Sequence, residues 1–385
     1  MVIARKVDAG FILLGFFIVL LIAYFQMGCQ AANVSKVFTL SFVWQFSWFI
    51  RHLYCYKPIK LFLYVMACVF FSTMHVLLLS PQGASFEYYN KLIMFVCFLL
   101  FVYLCSTIRI RKKLVVGILL INVVLSLLYV YYYFYGTQVD EWVFVTLNFP
   151  NPNFAGIFLS YSLIYTVLFS LSCKELNLSR WFLLLLIPLS IMLAVLLVLT
   201  FCRAALLTGI CYLVLILIDK LCGGIIRLKK WMVFAWSILP MLFVIFYVAL
   251  QGNIASESIL VDEESGKSTD TRMVVWGPSV KTVKENLLFG DYNGISGGTG
   301  ISQLHNTHLD VIASYGFLPF VMFVLILYKA VSAIKTRSNL NKYSQWAFMV
   351  CFVSGVFEAV LVAGGLCVYI LACGFLLLAN SDIST

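Results

Sequence analysis

Residues 181–200 of the chain read WFLLLLIPLSIMLAVLLVLT, twenty consecutive residues without a charge. An α-helix rises about 1.5 Å per residue, so a run of this length crosses the roughly 30 Å hydrocarbon core of a bilayer. Within one such segment, only an α-helix satisfies its own backbone hydrogen bonds. The stretch therefore predicts a membrane-spanning helix, and similar apolar runs recur on both sides of it.

These runs predict an all-α polytopic membrane protein with about twelve transmembrane helices. The helices are expected near residues 10–27, 37–53, 61–80, 91–108, 114–135, 154–173, 181–200, 204–219, 232–251, 311–334, 344–358 and 362–379. The alternating short strands of an outer-membrane barrel are absent from the sequence. We interpret the whole chain, 1–385, as a single integral membrane domain.

The composition agrees with this class. Of the 385 residues 63% are apolar and only 11% are charged, against about 25% charged residues in soluble domains.

The net charge of +10 would suggest a nucleic-acid partner in a soluble protein, but here the distribution of the cations is a topology signal. Lys and Arg concentrate in every second loop, which predicts cytoplasmic N- and C-termini. Residues 252–310 are then a long extracytoplasmic loop that carries short helices, and no nucleic-acid partner is expected.

Two arginines stand out on the predicted outer side. Arg203 lies in LVLTFCRAALLTGI, between two apolar helices, and an arginine at membrane depth costs at least a few kcal/mol. Arg272 lies in STDTRMVVWG, where Ser268 or Thr269 can cap a surface helix that ends before Gly290. A planar guanidinium matches a phosphate or pyrophosphate. The alternatives are that Arg203 snorkels at a helix end and that Arg272 contacts only lipid headgroups.

A histidine follows in the same segment. His305 precedes Asn306 at the entrance to the predicted tenth helix, and an imidazole on the outer side suits a general base that takes a proton from a hydroxyl. His308 and Asp310 lie close by, so a metal site is an alternative. However, His-Asn-Thr-His lacks the spacing of a zinc helix, no third strong ligand is near, and the twelve cysteines include no CxxC pair. A helix-capping histidine is the structural alternative.

Taken in order, these motifs resemble the O-antigen ligase and O-antigen polymerase superfamily of bacterial membrane glycosyltransferases. Ligases of that family share a His-[Asn/Ser/Gln]-x9-Gly-x-x-[Gly/Thr/Tyr] pattern in a long periplasmic loop. Here His305 and Asn306 are followed by nine residues and Gly316, whereas position 319 is Pro. An upstream Arg…Trp…Leu…Gly run is matched by Arg272, Trp276, Leu288 and Gly290.

Two further stretches extend the resemblance to roughly residues 145–335. FCRAAL is similar to the family's Ser-Arg-small motif, with Cys202 in place of serine. NPNFAGIFL resembles the family's turn before a middle helix. The first 140 residues add only their hydropathy.

The resemblance implies a metal-independent transferase without a cofactor, which uses an undecaprenyl-pyrophosphate-linked oligosaccharide at the outer face of the cytoplasmic membrane. Arg203 and Arg272 would bind the pyrophosphate, and His305 would activate or orient the acceptor hydroxyl. Supporting positions would be Asn306, Asp310, Trp276, Gly290 and Gly316. The implied partners are the lipid-linked donor, a polysaccharide acceptor, the bilayer, a flippase and a chain-length regulator.

The departure at Pro319 favours a polymerase of O-antigen or capsular repeat units over a ligase. The ligase, which moves the finished chain to lipid A-core in lipopolysaccharide assembly, is the close alternative, and transfer to protein is a third. A lipid-glycan flippase or small-solute transporter would also explain twelve helices. It would place polar groups near the bilayer midplane, whereas the candidates here gather at one predicted face.

Overall fold

A computed structural model describes residues 2–27, 36, 47, 50, 60–79, 86–136, 145–149, 152–226, 228–254, 271–290, 304–357 and 366–383. These residues form thirteen α-helices, and the described part contains no β-strand, only an isolated bridge between Arg111 and Asp382. The helices are α1 Val2–Met27, α2 Lys60–Leu79, α3 Phe86–Thr107, α4 Lys112–Tyr135, α5 Pro152–Ser172, α6 Trp181–Leu199, α7 Arg203–Leu221, α8 Lys230–Ile254, α9 Thr271–Glu285, α10 Thr307–Tyr315, α11 Phe317–Ser332, α12 Asn339–Phe357 and α13 Leu366–Ala379.

Six of the described helices, α2 and α4 to α8, are long and apolar enough to cross a membrane. Shorter apolar helical stretches occur at Ile12–Met27, Lys91–Thr107, Phe317–Ser332 and Val368–Ala379. The prediction of an all-α membrane protein is therefore confirmed in this coarse form. The predicted helix at 37–53 falls almost wholly outside the described residues, and the total of twelve spans stays a prediction.

The helices differ sharply in how much of their apolar surface is covered. In α13, every residue from Val368 to Ala379 is buried, and the helix packs against α1, α3, α5 and α12. By contrast, α6 buries Leu186, Leu189 and Leu193 but exposes Ile187 and Ile191. A soluble protein rarely exposes so large an apolar face, whereas a helix at the rim of a membrane bundle must.

An ion pair fastens α7 to α12 at the end opposite Arg203. Lys342 Nζ lies 2.6 Å from Asp219 Oδ2, and both side chains are buried. The same carboxylate accepts the Tyr343 hydroxyl at 2.9 Å and the Ile226 backbone N–H at 3.2 Å. Because the buried charge is both paired and hydrogen-bonded, its desolvation is compensated.

One helix that was predicted to be continuous is interrupted in the structure. The run 311–334 was expected to be a single span, but it is divided at Gly316 into α10 and α11. Gly316 has φ +83° and ψ −175°, a backbone conformation that is essentially restricted to glycine and that terminates α10. The N-terminal part starts earlier than expected, at Thr307, so the end of the predicted 252–310 loop belongs to a buried helix.

Candidate functional site

The short helix α10 lies among α2, α8, α9, α11 and α12 and contacts all five. All nine of its residues are buried. The three residues before it, Leu304, His305 and Asn306, carry the histidine motif, and each is held differently.

Trp276 of α9 holds the residue before the histidine. Its indole N–H donates to the Leu304 carbonyl at 2.7 Å, and the side chain is fully buried. Its ring meets the edges of Phe243 and Tyr247 on α8 at centroid distances of 6.2 and 5.4 Å. A buried indole N–H needs an acceptor, so Trp276 fixes the backbone at Leu304.

Asn306 holds the residue after the histidine. Its side-chain oxygen accepts the backbone N–H groups of His308 at 3.0 Å and Leu309 at 2.9 Å, which makes it the N-cap of α10. Its side-chain nitrogen donates to the carbonyls of Val356 at 2.8 Å and Pro240 at 3.3 Å. One fully buried amide therefore ties the start of α10 to both α8 and α12.

His305 lies between these two anchors with φ +51°. A left-handed conformation costs a non-glycine residue about 1–3 kcal/mol and persists only where the surroundings enforce it. Here the surroundings are the hydrogen bonds of Trp276 and Asn306. The imidazole is half-buried, so it is positioned by its neighbours while part of it stays accessible.

Asp310 is held by a residue that the sequence interpretation did not include in the site. Lys91 Nζ, near the start of α3, lies 2.8 Å from Asp310 Oδ1, and both side chains are buried. Asp310 is in the first turn of α10, where a negative charge also complements the helix dipole. Lys91 is a cation on the predicted outer side of an apolar helix, and this departure from the positive-inside pattern is the signal that could have identified it.

His308, unlike His305, is fully buried. Its Nε2 lies 2.8 Å from the Ser237 carbonyl, and its ring is surrounded by Phe320, Phe323 and Phe352. Among the described residues, no three His, Cys, Asp or Glu side chains come together as potential metal ligands.

The two motif glycines meet each other at the ends of α9 and α10. A Cβ on Gly290 would lie 2.5 Å from the Ala313 carbonyl oxygen, and one on Gly316 would overlap the Leu288 carbonyl. Both have positive φ, of +69° and +83°. The Phe317 N–H donates to the Leu287 carbonyl at 2.9 Å and closes the crossing. These glycines therefore permit a close backbone approach that sets the position of α10.

Arg203 is the first residue of α7 and is exposed. The tight turn before it has Phe201 at φ +52° and a buried Cys202, whose Cβ would lie 2.5 Å from a Cβ placed on Gly156. Cys202 therefore lies in close contact with α5. A cation at a helix N-terminus is disfavoured by the helix dipole, which favours a role in binding an anion.

The structure thus brings Trp276, Gly290, His305, Asn306, Asp310 and Gly316 together around α10. Arg203 begins α7, which packs against α5 and α12. Arg272 is the second residue of α9, but its side chain lies outside the described part of the structure. No protein-family model, curated protein or solved structure matches the chain.

Proposed function

We propose that the chain is a glycosyltransferase that extends O-antigen or capsular polysaccharide from undecaprenyl-pyrophosphate-linked repeat units. The observation that carries the proposal is the state of His305. It is a half-buried imidazole on a left-handed residue, gripped on one side by Trp276 and on the other by Asn306. An accessible side chain on a strained residue that buried neighbours hold in place is typical of a functional site.

In the proposed reaction the acceptor hydroxyl oxygen attacks the anomeric carbon of the donor glycan. The bond from that carbon to the pyrophosphate oxygen breaks, and undecaprenyl pyrophosphate leaves. His305 takes the hydroxyl proton. Arg203 and Arg272 stabilise the charge that develops on the leaving group, in place of a metal.

The proposed topology has twelve spans, cytoplasmic termini and residues 252–310 on the outer side of the cytoplasmic membrane. The six long apolar helices and the shorter apolar ones support a multi-pass arrangement. Nucleotides are absent outside the cytoplasm, so a lipid pyrophosphate is the energy source that suits this location. A transporter would need polar groups along a path through the bundle. The residues proposed here lie instead at the start of α10 and just before it.

The ligase is retained as a second function because the histidine pattern matches the ligase form as far as Gly316. The distinguishing assay uses the purified full chain with a lipid-linked repeat unit, and a parallel reaction that also contains lipid A-core. A ladder of lengthening lipid-linked products supports the polymerase. A single product that appears only with lipid A-core supports the ligase, and no product in either reaction contradicts both.

The variant His305→Asn separates chemistry from folding in this assay. Asparagine, like histidine, is among the few non-glycine residues that readily adopt the left-handed region, so the bend should survive while the base is lost. We expect product to vanish while the melting temperature stays near that of the parent. Lys284→Ala, an exposed cation on α9, is the control that should retain activity.

A further inference from the structure

A second charged region lies away from α10, at the connections of α3, α11 and α13. Arg109, Lys335 and Arg337 line a cavity of about 60 Å³ together with Ala333, Asn380, Ser381 and Asp382. The three cations come from two segments far apart in the chain, and all three are exposed. None of them makes a hydrogen bond or ion pair with a described residue.

The wall formed by the C-terminal segment is fixed by hydrogen bonds to the α3–α4 connection. The Asn380 side-chain nitrogen donates to the carbonyls of Ile108 at 2.8 Å and Ser106 at 3.1 Å. The Asp382 N–H donates to the Ile110 carbonyl at 2.8 Å. These bonds hold Arg109 beside residues 380–382.

Side chains of α12 also fix the C-terminal segment, and they fix the end of α11 on the other side of the cavity. The Asn341 side-chain nitrogen donates to the Ser381 hydroxyl at 3.1 Å and to the Leu378 carbonyl at 3.2 Å. The Gln345 side-chain nitrogen donates to the Val331 carbonyl at 3.0 Å, which secures the end of α11 just before Lys335. The backbone around the cavity is therefore fixed, and a ligand would need to order only the exposed cationic side chains.

The chemistry of the lining selects an anion. The lining residues contribute two guanidinium groups, one ammonium group and a single carboxylate, that of Asp382, so the lining carries a net positive charge. One water molecule needs roughly 10–15 Å³ of such a cavity. A cavity of about 60 Å³ therefore suits a group of several heavy atoms. Guanidinium groups bind phosphate oxygens in pairs of hydrogen bonds.

The position of the cavity indicates where the phosphate comes from. Arg109 follows the apolar helical stretch Lys91–Thr107, and Lys335 follows the apolar helix Phe317–Ser332. Basic residues at the ends of apolar helices lie at the level of lipid headgroups. By the charge pattern of the loops, this end of the bundle is the predicted cytoplasmic side, where anionic lipids are bound by basic pockets.

We propose that Arg109, Lys335 and Arg337 form a binding site for the phosphate of an anionic lipid headgroup. The site is independent of the proposed glycosyl transfer, because it lies beyond the C-terminal ends of α3 and α11, remote from α10, and its test measures binding alone.

The test titrates the purified full chain in a non-ionic detergent with phosphatidylglycerol, with phosphatidylcholine of the same acyl chains, and with inorganic phosphate. Bound lipid is counted by native mass spectrometry, and the melting temperature is followed in parallel. The triple variant Arg109→Gln, Lys335→Gln, Arg337→Gln removes the cations of the cavity. The matched control, Arg180→Gln, Lys229→Gln, Lys230→Gln, removes three exposed cations predicted on the same side.

We expect phosphatidylglycerol to saturate one site and to bind the cavity variant roughly 100-fold more weakly, since each basic residue contributes about fivefold near an anionic lipid. The control variant should bind like the parent. Equal loss in both variants, or loss in neither, would overturn the site. If inorganic phosphate stabilises the parent as strongly as the lipid does and displaces it, the lipid source is wrong.

Discussion

Lys91 and Asp310 form a buried ion pair across 219 residues of sequence, with Nζ 2.8 Å from Oδ1. The pair joins the start of α3 to the first turn of α10, the helix that follows His305. Removing either partner would leave an uncompensated buried charge. The ion pair therefore links the first third of the chain, which carries no motif of its own, to the candidate site.

Neutralising one member of this pair should destabilise the protein. We expect Lys91→Met or Asp310→Asn to lower the free energy of unfolding by about 3 kcal/mol, whereas the double variant should lose less than either single variant because no lone charge remains. Thermal or denaturant unfolding of the purified protein in detergent measures both quantities. Single variants as stable as the parent, or a double variant that loses the sum, would contradict this account.

The crossing of Gly290 and Gly316 predicts a steep steric effect. Gly316→Ala should destabilise the protein by at least about 3 kcal/mol, because the new methyl group overlaps the Leu288 carbonyl and the residue must keep φ +83°. Gly277→Ala is the matched control on α9, where a Cβ has nothing within 4 Å. It should be close to neutral, because the gain of about 0.5–1 kcal/mol from alanine in a helix is offset by the following proline, which disfavours a helical backbone at a residue with a Cβ. Yields of folded protein and melting temperatures distinguish the two.

Trp276→Phe should weaken the support of His305 without opening a large cavity. The Leu304 carbonyl would lose its 2.7 Å partner, at a cost of about 1–3 kcal/mol. If the loop end loosens as expected, transferase activity should fall by more than the change in stability explains. Trp231→Phe, a substitution at a residue that is 66% exposed on α8, should change neither. Equal behaviour of the two variants would remove Trp276 from the positioning role.

Arg203→Ala should separate activity from stability. Because Arg203 is exposed at the N-terminus of α7, its removal relieves an unfavourable charge–dipole interaction of about 0.3–1 kcal/mol. We expect the variant to be at least as stable as the parent and yet to lose product formation. Arg203→Lys should recover part of the activity, since the charge is kept and the paired hydrogen bonds are lost. An active Arg203→Ala variant would exclude the pyrophosphate role.

Metal removal tests the proposed chemistry directly. Since arginines rather than a metal are proposed to stabilise the leaving group, EDTA should leave the activity of the purified protein unchanged. The control restores Mg²⁺ in excess after chelation. Strong inhibition that Mg²⁺ reverses would mean that the assignment of Arg203 and Arg272 is wrong.

The sequence predicts helices well where the signal is local. The span expected at 181–200 is α6, Trp181–Leu199, and the span expected at 114–135 is α4, Lys112–Tyr135. Apolar length and charged flanks are properties of the segment itself, so they need no knowledge of neighbours. The expected helix before Gly290 is likewise confirmed as α9.

The break at Gly316 shows where local reasoning ends. A glycine inside an apolar run hardly changes the hydropathy, so 311–334 was interpreted as one helix. The division depends on the Leu288 carbonyl, which comes from another segment and approaches where only a glycine fits. The motif residues could be selected from the sequence. The structural roles of Trp276, Gly290 and Gly316 depend on contacts that their spacing along the chain does not reveal.

By itself, the sequence determined that the protein is an all-α membrane protein, where its apolar helices approximately lie, and which polar residues are worth examining. These properties depend on composition and spacing along the chain. Only the tertiary structure decided that Asn306 ties α10 to Pro240 and Val356, that Lys91 pairs with Asp310, and that His305 is held in a left-handed bend. Each of those facts is a pairing between distant segments. Buried polar groups take whichever partner the packing of the helices brings within hydrogen-bonding distance.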